Sequence, residues 1–297
     1  MTRRAGGVYS GTIPTMPALS FAKLHGTAND FVYIDARGGL PAEPATLARR
    51  LCDRHRGIGA DGLILLHSVR PGVHADCRME IWNSDGSRAE MCGNGIRGFA
   101  KFVWDRGLVA KNPLAVETDA GLKQVELDLD ARQRVRRVAV DMGRPEWRGR
   151  AIPVDSDAEV IEQPLEVAGQ LWRVTCVSMG NPHCVVFVDD PAALALAEIG
   201  PRFEHHPFFP RRVNTEFVRV RNAERLEVRV WERGAGETMA CGTGACAAAV
   251  AAARTGRAGR QVVVSLPGGE LEIAWLADDR VRMTGDAVEV FEGRIEV

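Results

Sequence analysis

Residues 81–95 read IWNSDGSRAEMCGNG, and residues 230–244 read VWERGAGETMACGTG. The two stretches align without a gap at an offset of 149 residues, which matches Cys92 with Cys241. Each copy ends in Cys-Gly-x-Gly and leads into an alanine-containing stretch of helical character. Because the offset is about half of the 297-residue chain, the repeat indicates an internal duplication, which constrains the whole architecture.

A second repeat occurs at nearly the same distance. Residues 29–35, NDFVYID, are similar to residues 181–189, NPHCVVFVD, at an offset of 152 with a small insertion. Elsewhere in both halves, apolar and polar residues alternate as they do in half-buried strands. We therefore expect an α+β protein of two pseudosymmetric domains, each a barrel-like antiparallel or mixed sheet around a central helix.

The helical patterns and the breaks between them predict the order of the elements. Helices are expected at residues 44–55, 95–105, 192–199 and 244–254. The sequence Gly143-Arg144-Pro145 interrupts the strand pattern and is the candidate linker between the halves. Residues 1–18 carry no apolar segment of signal-peptide length, so we expect them to form a disordered extension.

Composition limits the class of protein. Hydrophobic residues make up 45% and charged residues 26% of the chain, as in ordinary globular proteins. A net charge of −1 offers no basic field for nucleic acid or an anionic membrane. The sequence contains no run of about twenty apolar residues, so we expect no membrane span. Seven cysteines, an odd number, without a secretory signal favour a reducing, cytoplasmic compartment.

The repeated Cys-Gly-x-Gly segments carry the chemistry. We name residues 92–95 the first cysteine loop and residues 241–244 the second cysteine loop. A helix start leaves free backbone N–H groups and a partial positive charge, and glycine lets a ligand approach closely. Such a site binds carboxylates and is expected to lower the pKa of a neighbouring thiol. Each half therefore offers a reactive thiol beside a carboxylate cradle.

Two such thiols that face each other suit the inversion of a stereocentre. One thiolate removes a proton from one face of a carbon, and a thiol returns a proton to the opposite face. This reaction needs no cofactor and no metal. Backbone N–H groups from two helix starts would stabilise the enediolate-like carboxylate that forms in between. We therefore expect Cys92 and Cys241 to be the acid–base pair.

Other interpretations of these segments are weaker. A metal site next to His183 lacks a C-x-x-C motif, and the spacings are poor for zinc. Residues 93–98 match the dinucleotide fingerprint G-x-G-x-x-G, but neither the βαβ context nor the following acid is convincing. The five other cysteines are expected to be small buried residues. These are Cys52, Cys77, Cys176, Cys184 and Cys246.

Polar residues flank the cysteine loops and suit a small zwitterionic substrate. Four asparagines lie in or beside predicted loops, where each alone could equally be a turn residue. They are Asn29, Asn83, Asn181 and Asn214. Glu232 and Arg233 occupy the repeat positions of Asn83 and Ser84, so the halves diverge where an asymmetric substrate would require it.

Four stretches resemble the diaminopimelate epimerase family: FAKLHGTANDF, MCGNGIR, GNPH and ERGAGETMACGTG, which begin at residues 21, 91, 180 and 232. The resemblance extends from residue 19 to the end. It implies two domains that close over the substrate, with the last strand returning to the first domain. The expected N-terminal domain is residues 19–140 plus 287–297, and the C-terminal domain is residues 141–286. It also implies a cytoplasmic homodimer.

The resemblance further implies interconversion of LL- and meso-2,6-diaminopimelate without pyridoxal phosphate or metal, in lysine and peptidoglycan biosynthesis. Cys241 would accept the proton in the LL-to-meso direction and Cys92 would donate it. Substrate-binding positions implied by the family are Asn29, Asn83, Asn181, Asn214, Glu232 and Arg233. The backbone cradle would comprise Gly93, Asn94, Gly242 and Thr243. His183 and Glu232 would tune the two thiols.

Two departures and several alternatives remain. Gly62 stands where many family members carry glutamine, and Thr27-Ala28 replaces the commoner Leu-Gly. A proline or hydroxyproline racemase uses the same two-thiol chemistry, whereas isomerases of the phenazine-biosynthesis type lack the cysteine pair. A non-catalytic amino-acid-binding protein would need no thiol. A thiol hydrolase would need one cysteine and a histidine base, which leaves the second cysteine unexplained.

Overall fold

The computed structural model describes residues 18–296. Most of the predicted N-terminal extension, residues 1–17, lies outside the described residues. Residue 18 was assigned to that extension wrongly, because it begins the first strand. Eighteen strands and four α-helices follow in this part of the chain, with short 3-10 helices at Gly149–Ala151 and Pro191–Ala193.

The strands of the first half alternate with two helices. They are β1 (Ala18–Gly26), β2 (Asn29–Asp35), β3 (Gly62–His67), β4 (Cys77–Asn83), β5 (Arg88–Ala89), β6 (Leu114–Thr118), β7 (Gly121–Leu129) and β8 (Val135–Asp141). The helices are α1 (Pro44–Cys52) and α2 (Gly93–Asp105).

The second half repeats this plan. Its strands are β9 (Gln163–Val167), β10 (Gln170–Ser178), β11 (Pro182–Phe187), β12 (Asn214–Asn222), β13 (Arg225–Glu232), β14 (Gly236–Thr238), β15 (Gln261–Leu266), β16 (Gly269–Trp275), β17 (Val281–Asp286) and β18 (Val288–Glu296). Its helices are α3 (Leu196–Glu204) and α4 (Gly242–Arg254).

The strand pairing shows the duplication directly. In the first half the order is β18, β1, β2, β3, β4, β6, β7, β8, with parallel pairs β2–β3 and β4–β6. In the second half the order is β9, β10, β11, β12, β13, β15, β16, β17, with parallel pairs β11–β12 and β13–β15. The last strand, β18, thus takes in the first half the place that β9 takes in the second.

The two halves join through one antiparallel pair, β8 with β17, into a single continuous sheet. The sheet wraps around the two central helices but does not close into a barrel. The predicted α+β class with two repeated halves is confirmed. The barrel-like description holds only for the curvature of each half.

Helices α2 and α4 occupy the centre of the fold. Most residues of both helices are buried, and α4 is rich in alanine, whose small side chains let the helix lie close to the surrounding strands. Both helices begin directly after a cysteine that serves as the N-cap residue, Cys92 for α2 and Cys241 for α4. The fold therefore places the two repeated cysteine loops at its centre.

Most predicted elements are confirmed, and the helix expected at residues 192–199 is wrong in its bounds. Asp190 accepts a hydrogen bond from the Ala192 N–H at 2.9 Å and caps the short 3-10 helix Pro191–Ala193. Leu194 is then extended, and α3 begins only at Leu196. The helical pattern was correct, but the capped turn before it delays the start of the helix.

Gly200 in α3 makes room for Trp231, the residue before Glu232. A Cβ atom at position 200 would lie 2.2–2.5 Å from three atoms of the Trp231 ring. We expect Gly200→Ala to lower the free energy of unfolding by about 1–3 kcal/mol through overpacking, despite the better helix propensity of alanine. Denaturant unfolding measures this, with the exposed neighbour Glu198→Ala as the control. A variant as stable as the control would contradict the close packing.

Candidate active site

The first cysteine loop lies at the start of α2. Cys92 has extended backbone angles, and its Sγ accepts a hydrogen bond from the Gly95 N–H at 3.3 Å. The carboxamide oxygen of Asn29 lies 3.6 Å from the same sulfur. The Cys92 carbonyl accepts the Ile96 N–H at 2.9 Å and starts the helix. Cys92 as a whole residue is partly exposed.

The second cysteine loop has the same local geometry at the start of α4. Cys241 is extended, and its carbonyl accepts the Ala245 N–H at 2.9 Å. Its Sγ lies 3.5 Å from the hydroxyl of Thr243. Cys241 is only 5% exposed, so it is the more enclosed of the two thiols.

The two loops meet backbone to backbone. A Cβ atom added to Gly242 would lie 3.6 Å from Cα of Gly93, and Met283 closes the same contact from the side. Asn94 donates from its side chain to the Ala240 carbonyl at 3.3 Å, across the boundary between the halves. The expectation that the duplication brings the two cysteine loops together is confirmed. The acid–base role of the thiols is not tested by this geometry.

The expected lowering of the thiol pKa values is wrong for the protein without a ligand. Burial raises the pKa of Cys92, although the N–H groups of Gly95 and Asn94 act in the opposite direction. Burial also raises the pKa of Cys241, to well above its usual range, and the carboxylates of Glu232 and Glu216 add to this. The N–H groups of the helix start lower the thiol pKa as predicted, but the loss of water on burial raises it by more.

A buried histidine–glutamate pair lies behind the second cysteine loop. His183 Nδ1 lies 2.7 Å from the Glu216 carboxylate, and both side chains are fully buried. The other ring nitrogen, Nε2, lies 2.8 Å from the side-chain oxygen of Asn181. A Cβ atom at Gly244 would lie 2.7 Å from Glu216 Oε1, so this carboxylate lies directly against the start of α4.

Glu216 was not identified from the sequence. It lies in β12 within the sequence Thr215-Glu216-Phe217, where all three residues are fully buried. Burial raises the pKa of Glu216, whereas His183 acts to lower it. A single acid inside an apolar strand pattern was the signal that could have indicated it.

Several predicted binding residues are bonded within the protein. Asn214 donates to the Pro182 carbonyl at 2.8 Å and accepts the Arg233 N–H at 2.9 Å, so it connects two site loops. Glu232 accepts the Thr238 hydroxyl. Asn83 is exposed and donates to Ser87 Oγ at 2.9 Å, inside its own turn.

The structure accounts for one departure from the family pattern. A Cβ atom at Gly62 would lie 2.6 Å from the Trp82 carbonyl and 2.9 Å from the Phe31 ring, so no side chain fits there. Nearby, Asn29 donates to Asp61 at 2.7 Å, and Arg54 bridges Asp61 and Asp30. This charged cluster also was not identified from the sequence. It lies beside Asn29, at the rim of the first cysteine loop.

A comparison with known families decides the classification. The family model described as diaminopimelate epimerase matches residues 21–148 and 175–290, a span that includes both cysteine loops. The chain belongs to the diaminopimelate epimerase family. It is therefore an isomerase, and the resemblance read from the four motif stretches is confirmed.

Relatives of the diaminopimelate epimerase family match nearly the whole chain. The diaminopimelate epimerase of Moorella thermoacetica is 54% identical, over 93% of this chain and 98% of that protein. The diaminopimelate epimerase of a Synechocystis species is 52% identical, over 94% of this chain and 100% of that protein. Because these matches cover nearly the full length of both proteins, both repeated halves belong to the family's protein.

Solved structures share the fold at low sequence identity. A phenazine biosynthesis protein of the PhzF family from Bacillus anthracis superposes with a TM-score of 0.66 at 16% identity, covering 95% of this chain and 100% of that chain. A hydroxyproline epimerase from Agrobacterium vitis also gives 0.66, at 14% identity, covering 94% and 93%. These likenesses concern the fold alone.

Two further observations concern membrane-spanning helices and metal ligands. Among residues 18–296, no helix is both long enough and apolar enough to cross a membrane. In the same part of the chain, no three His, Cys, Asp or Glu side chains are grouped as metal ligands.

Proposed function

We propose that this protein interconverts LL- and meso-2,6-diaminopimelate by a two-base mechanism that uses no cofactor. The observation that carries the proposal is the contact between two equivalent helix starts, each N-capped by a cysteine. A single thiol would suffice for nucleophilic catalysis, whereas a matched pair is what inversion at carbon requires. The names of the relatives indicate the substrate.

The chemistry follows from the two loops. The free N–H groups at the starts of α2 and α4 bind the carboxylate next to the reacting carbon. One thiolate takes the α-proton, and the negative charge that moves onto the carboxylate is stabilised by these N–H groups. The opposite thiol then donates its proton to the other face of the carbon. In the LL-to-meso direction Cys241 is the acceptor and Cys92 is the donor.

The polar residues around the loops bind the rest of the substrate. Gly93, Asn94, Gly242 and Thr243 form the cradle, and the substrate-binding set is Asn29, Asn83, Asn181, Asn214, Glu232 and Arg233. His183 and Glu232 tune the thiols. Arg233 is exposed and close to the Asn214 connection, which suits a group that binds the charged distal end of the substrate.

The proposal extends to the setting of the enzyme. The reaction would supply meso-diaminopimelate to lysine and peptidoglycan synthesis in the cytoplasm, by a homodimer. Two domains, residues 19–140 plus 287–297 and residues 141–286, would close over the substrate. The pairing of β18 with β1 supports this division, because it connects the end of the chain to the first half.

Isotope exchange tests the proposal. Reduced protein is incubated with LL-diaminopimelate in deuterated water, and α-deuterium and the meso isomer are followed by mass spectrometry and chiral chromatography. Meso product that carries solvent deuterium is the expected result. Exchange with proline but not with diaminopimelate would indicate a racemase of the same fold instead, and no exchange with either would contradict two-base epimerisation of these substrates.

A further inference from the structure

A fully buried arginine lies behind the first cysteine loop. Arg97, at the beginning of the second turn of α2, has no exposed surface. Its guanidinium donates to the Gly93 carbonyl at 3.1 Å and to the Asn94 side-chain oxygen at 3.0 Å, both in the first cysteine loop. It also donates to the Thr27 hydroxyl at 3.1 Å and to the Asp286 main-chain carbonyl at 3.0 Å.

The fold builds a specific space for this group. A Cβ atom at Gly26 would lie 2.7 Å from the guanidinium, and one at Gly285 would lie 3.0 Å from it. Two glycines therefore enclose the guanidinium: Gly26 in β1 of the first half, and Gly285 in β17, the strand before the chain returns to the first half. Within residues 18–296, Arg97 has no carboxylate within 4 Å, and its four hydrogen-bond acceptors are all neutral oxygens.

A buried charge without a counter-ion is costly, so the charge itself calls for an explanation. Burial lowers the pKa of Arg97, but arginine starts so far above neutrality that it stays charged at physiological pH. A neutral amide has only two N–H donors and could not make all four hydrogen bonds. Arg97 therefore combines the donors that hold the first cysteine loop with a positive charge.

The duplication provides an internal comparison. At the offset of the cysteine loops, position 97 corresponds to Cys246, which is neutral and fully buried. The parallel pair β11–β12 of the second half is equivalent to the parallel pair β2–β3 of the first half. When these pairs are aligned, Glu216 corresponds to Ile64, and His183 corresponds to Phe31. A Cβ atom at Gly244 would meet Glu216, whereas one at the equivalent Gly95 would meet Ile64, both at 2.7 Å.

The two thiols therefore have different surroundings. Cys92 is backed by apolar side chains and the Arg97 cation, and Cys241 is backed by the His183–Glu216 pair. The other titratable groups facing this region are Glu232, which acts on both thiols, and Tyr33, whose hydroxyl donates to the Gly95 carbonyl at 3.1 Å. The carboxylate of Asp286 belongs to an exposed residue and forms no salt bridge with the guanidinium, but its charge acts to raise the pKa of Arg97.

We infer that Arg97 is a positioning residue whose buried charge makes Cys92, and not Cys241, the thiol that ionises first in the free protein. This inference rests on the proposed function for its catalytic meaning. With Cys92 as thiolate, the enzyme is in the form that runs the meso-to-LL direction: the Cys92 sulfur takes the α-proton as the C–H bond breaks, and the Cys241 S–H proton passes to the opposite face of the carbon. The LL-to-meso direction starts from the other form, in which Cys241 is the thiolate. Each turnover exchanges the protonation of the two thiols, so Arg97 favours one of the two free forms of the enzyme.

Alkylation of the free protein tests the inference without any substrate. Iodoacetamide reacts with thiolates, and peptide mapping by mass spectrometry gives a separate rate-against-pH profile for Cys92 and Cys241. The midpoint of each profile is compared, because the absolute rate also depends on exposure. We expect the Cys92 midpoint to lie below that of Cys241 in the wild type.

Substitutions at Arg97 separate charge from shape. We expect Arg97→Met to move the Cys92 midpoint to higher pH by about one unit, because a nearby opposite charge stabilises the thiolate. Arg97→Lys keeps the charge and is expected to restore most of this shift. The control is Cys246→Ala, at the equivalent position of the second half, which is expected to leave the Cys241 midpoint unchanged.

Each outcome decides the inference. A folded Arg97→Met variant with an unchanged Cys92 midpoint would overturn it, as would a Lys variant that shifts as far as Met. If Arg97→Met does not fold, the order of the two alkylation midpoints in the wild-type protein still tests the inference. A Cys241 midpoint below that of Cys92 would overturn it. Isotope exchange and alkylation are independent, so failure of the proposed function would leave these profiles intact.

Discussion

Replacing either Cys92 or Cys241 with alanine is expected to lower the rate of meso-diaminopimelate formation by about 10²- to 10⁴-fold, the usual contribution of a general acid or base. Both variants should fail to a similar degree, because inversion needs a proton acceptor on one face and a donor on the other. Neither loss should reflect unfolding. The measurement is solvent deuterium incorporation and product chirality with LL-diaminopimelate.

Matched controls come from the other cysteines of the chain. Cys52 and Cys77 are buried and lie outside both cysteine loops, and burial raises the pKa of each thiol to about 12. Cys52→Ala and Cys77→Ala should therefore retain epimerisation. Full activity in either Cys92→Ala or Cys241→Ala would refute the two-thiol mechanism. Loss in only one of them would indicate a single-base reaction with solvent as the second proton source.

The Glu216→Ala variant is expected to lose about 3–5 kcal/mol of unfolding free energy, because it leaves the buried His183 without its partner. The two groups form a 2.7 Å contact at zero exposure, so no water compensates for the missing carboxylate. Denaturant unfolding monitored by circular dichroism measures the loss. A cost below about 1 kcal/mol, which is typical of an exposed ion pair, would contradict the burial of this pair.

The first half of the chain supplies the control for this pair. Phe31 and Ile64 occupy the equivalent strand positions. We therefore expect the double variant His183→Phe, Glu216→Ile to be less destabilised than Glu216→Ala, because it removes both polar groups and fills the space. A double variant less stable than Glu216→Ala would show that the second half cannot accept the apolar arrangement of the first.

The sequence predicted the fold class and most elements because both depend on local pattern. The bounds expected for the helix after the second cysteine loop differ from α4 by only two residues. The strand β9 was not predicted, because the residues from 163 to 167 alternate only weakly between apolar and polar types. The start of α3 was misplaced by a side-chain cap, which pattern analysis does not weigh.

The site was predictable where it repeats and unpredictable where it does not. Cys92 and Cys241 stood out because they occupy equivalent positions of the repeat, which argues against both being merely small buried residues. Glu216 and Arg97 have no charged counterpart in the other half, so comparing the two repeats did not identify them. The direction of the thiol pKa shifts was also mispredicted, since the helix start can be read from sequence but the degree of burial cannot.

The sequence by itself determined that the protein is a duplicated α+β chain with one cysteine at the start of a central helix in each half. Only the tertiary structure decided that the two cysteine loops meet, with Arg97 behind the first loop and the His183–Glu216 pair behind the second. The Arg97 guanidinium donates to the main-chain carbonyl of Asp286, 189 positions along the chain, and His183 pairs with Glu216, 33 positions away. Local pattern specifies the elements, whereas burial and charge pairing arise only when distant segments pack together.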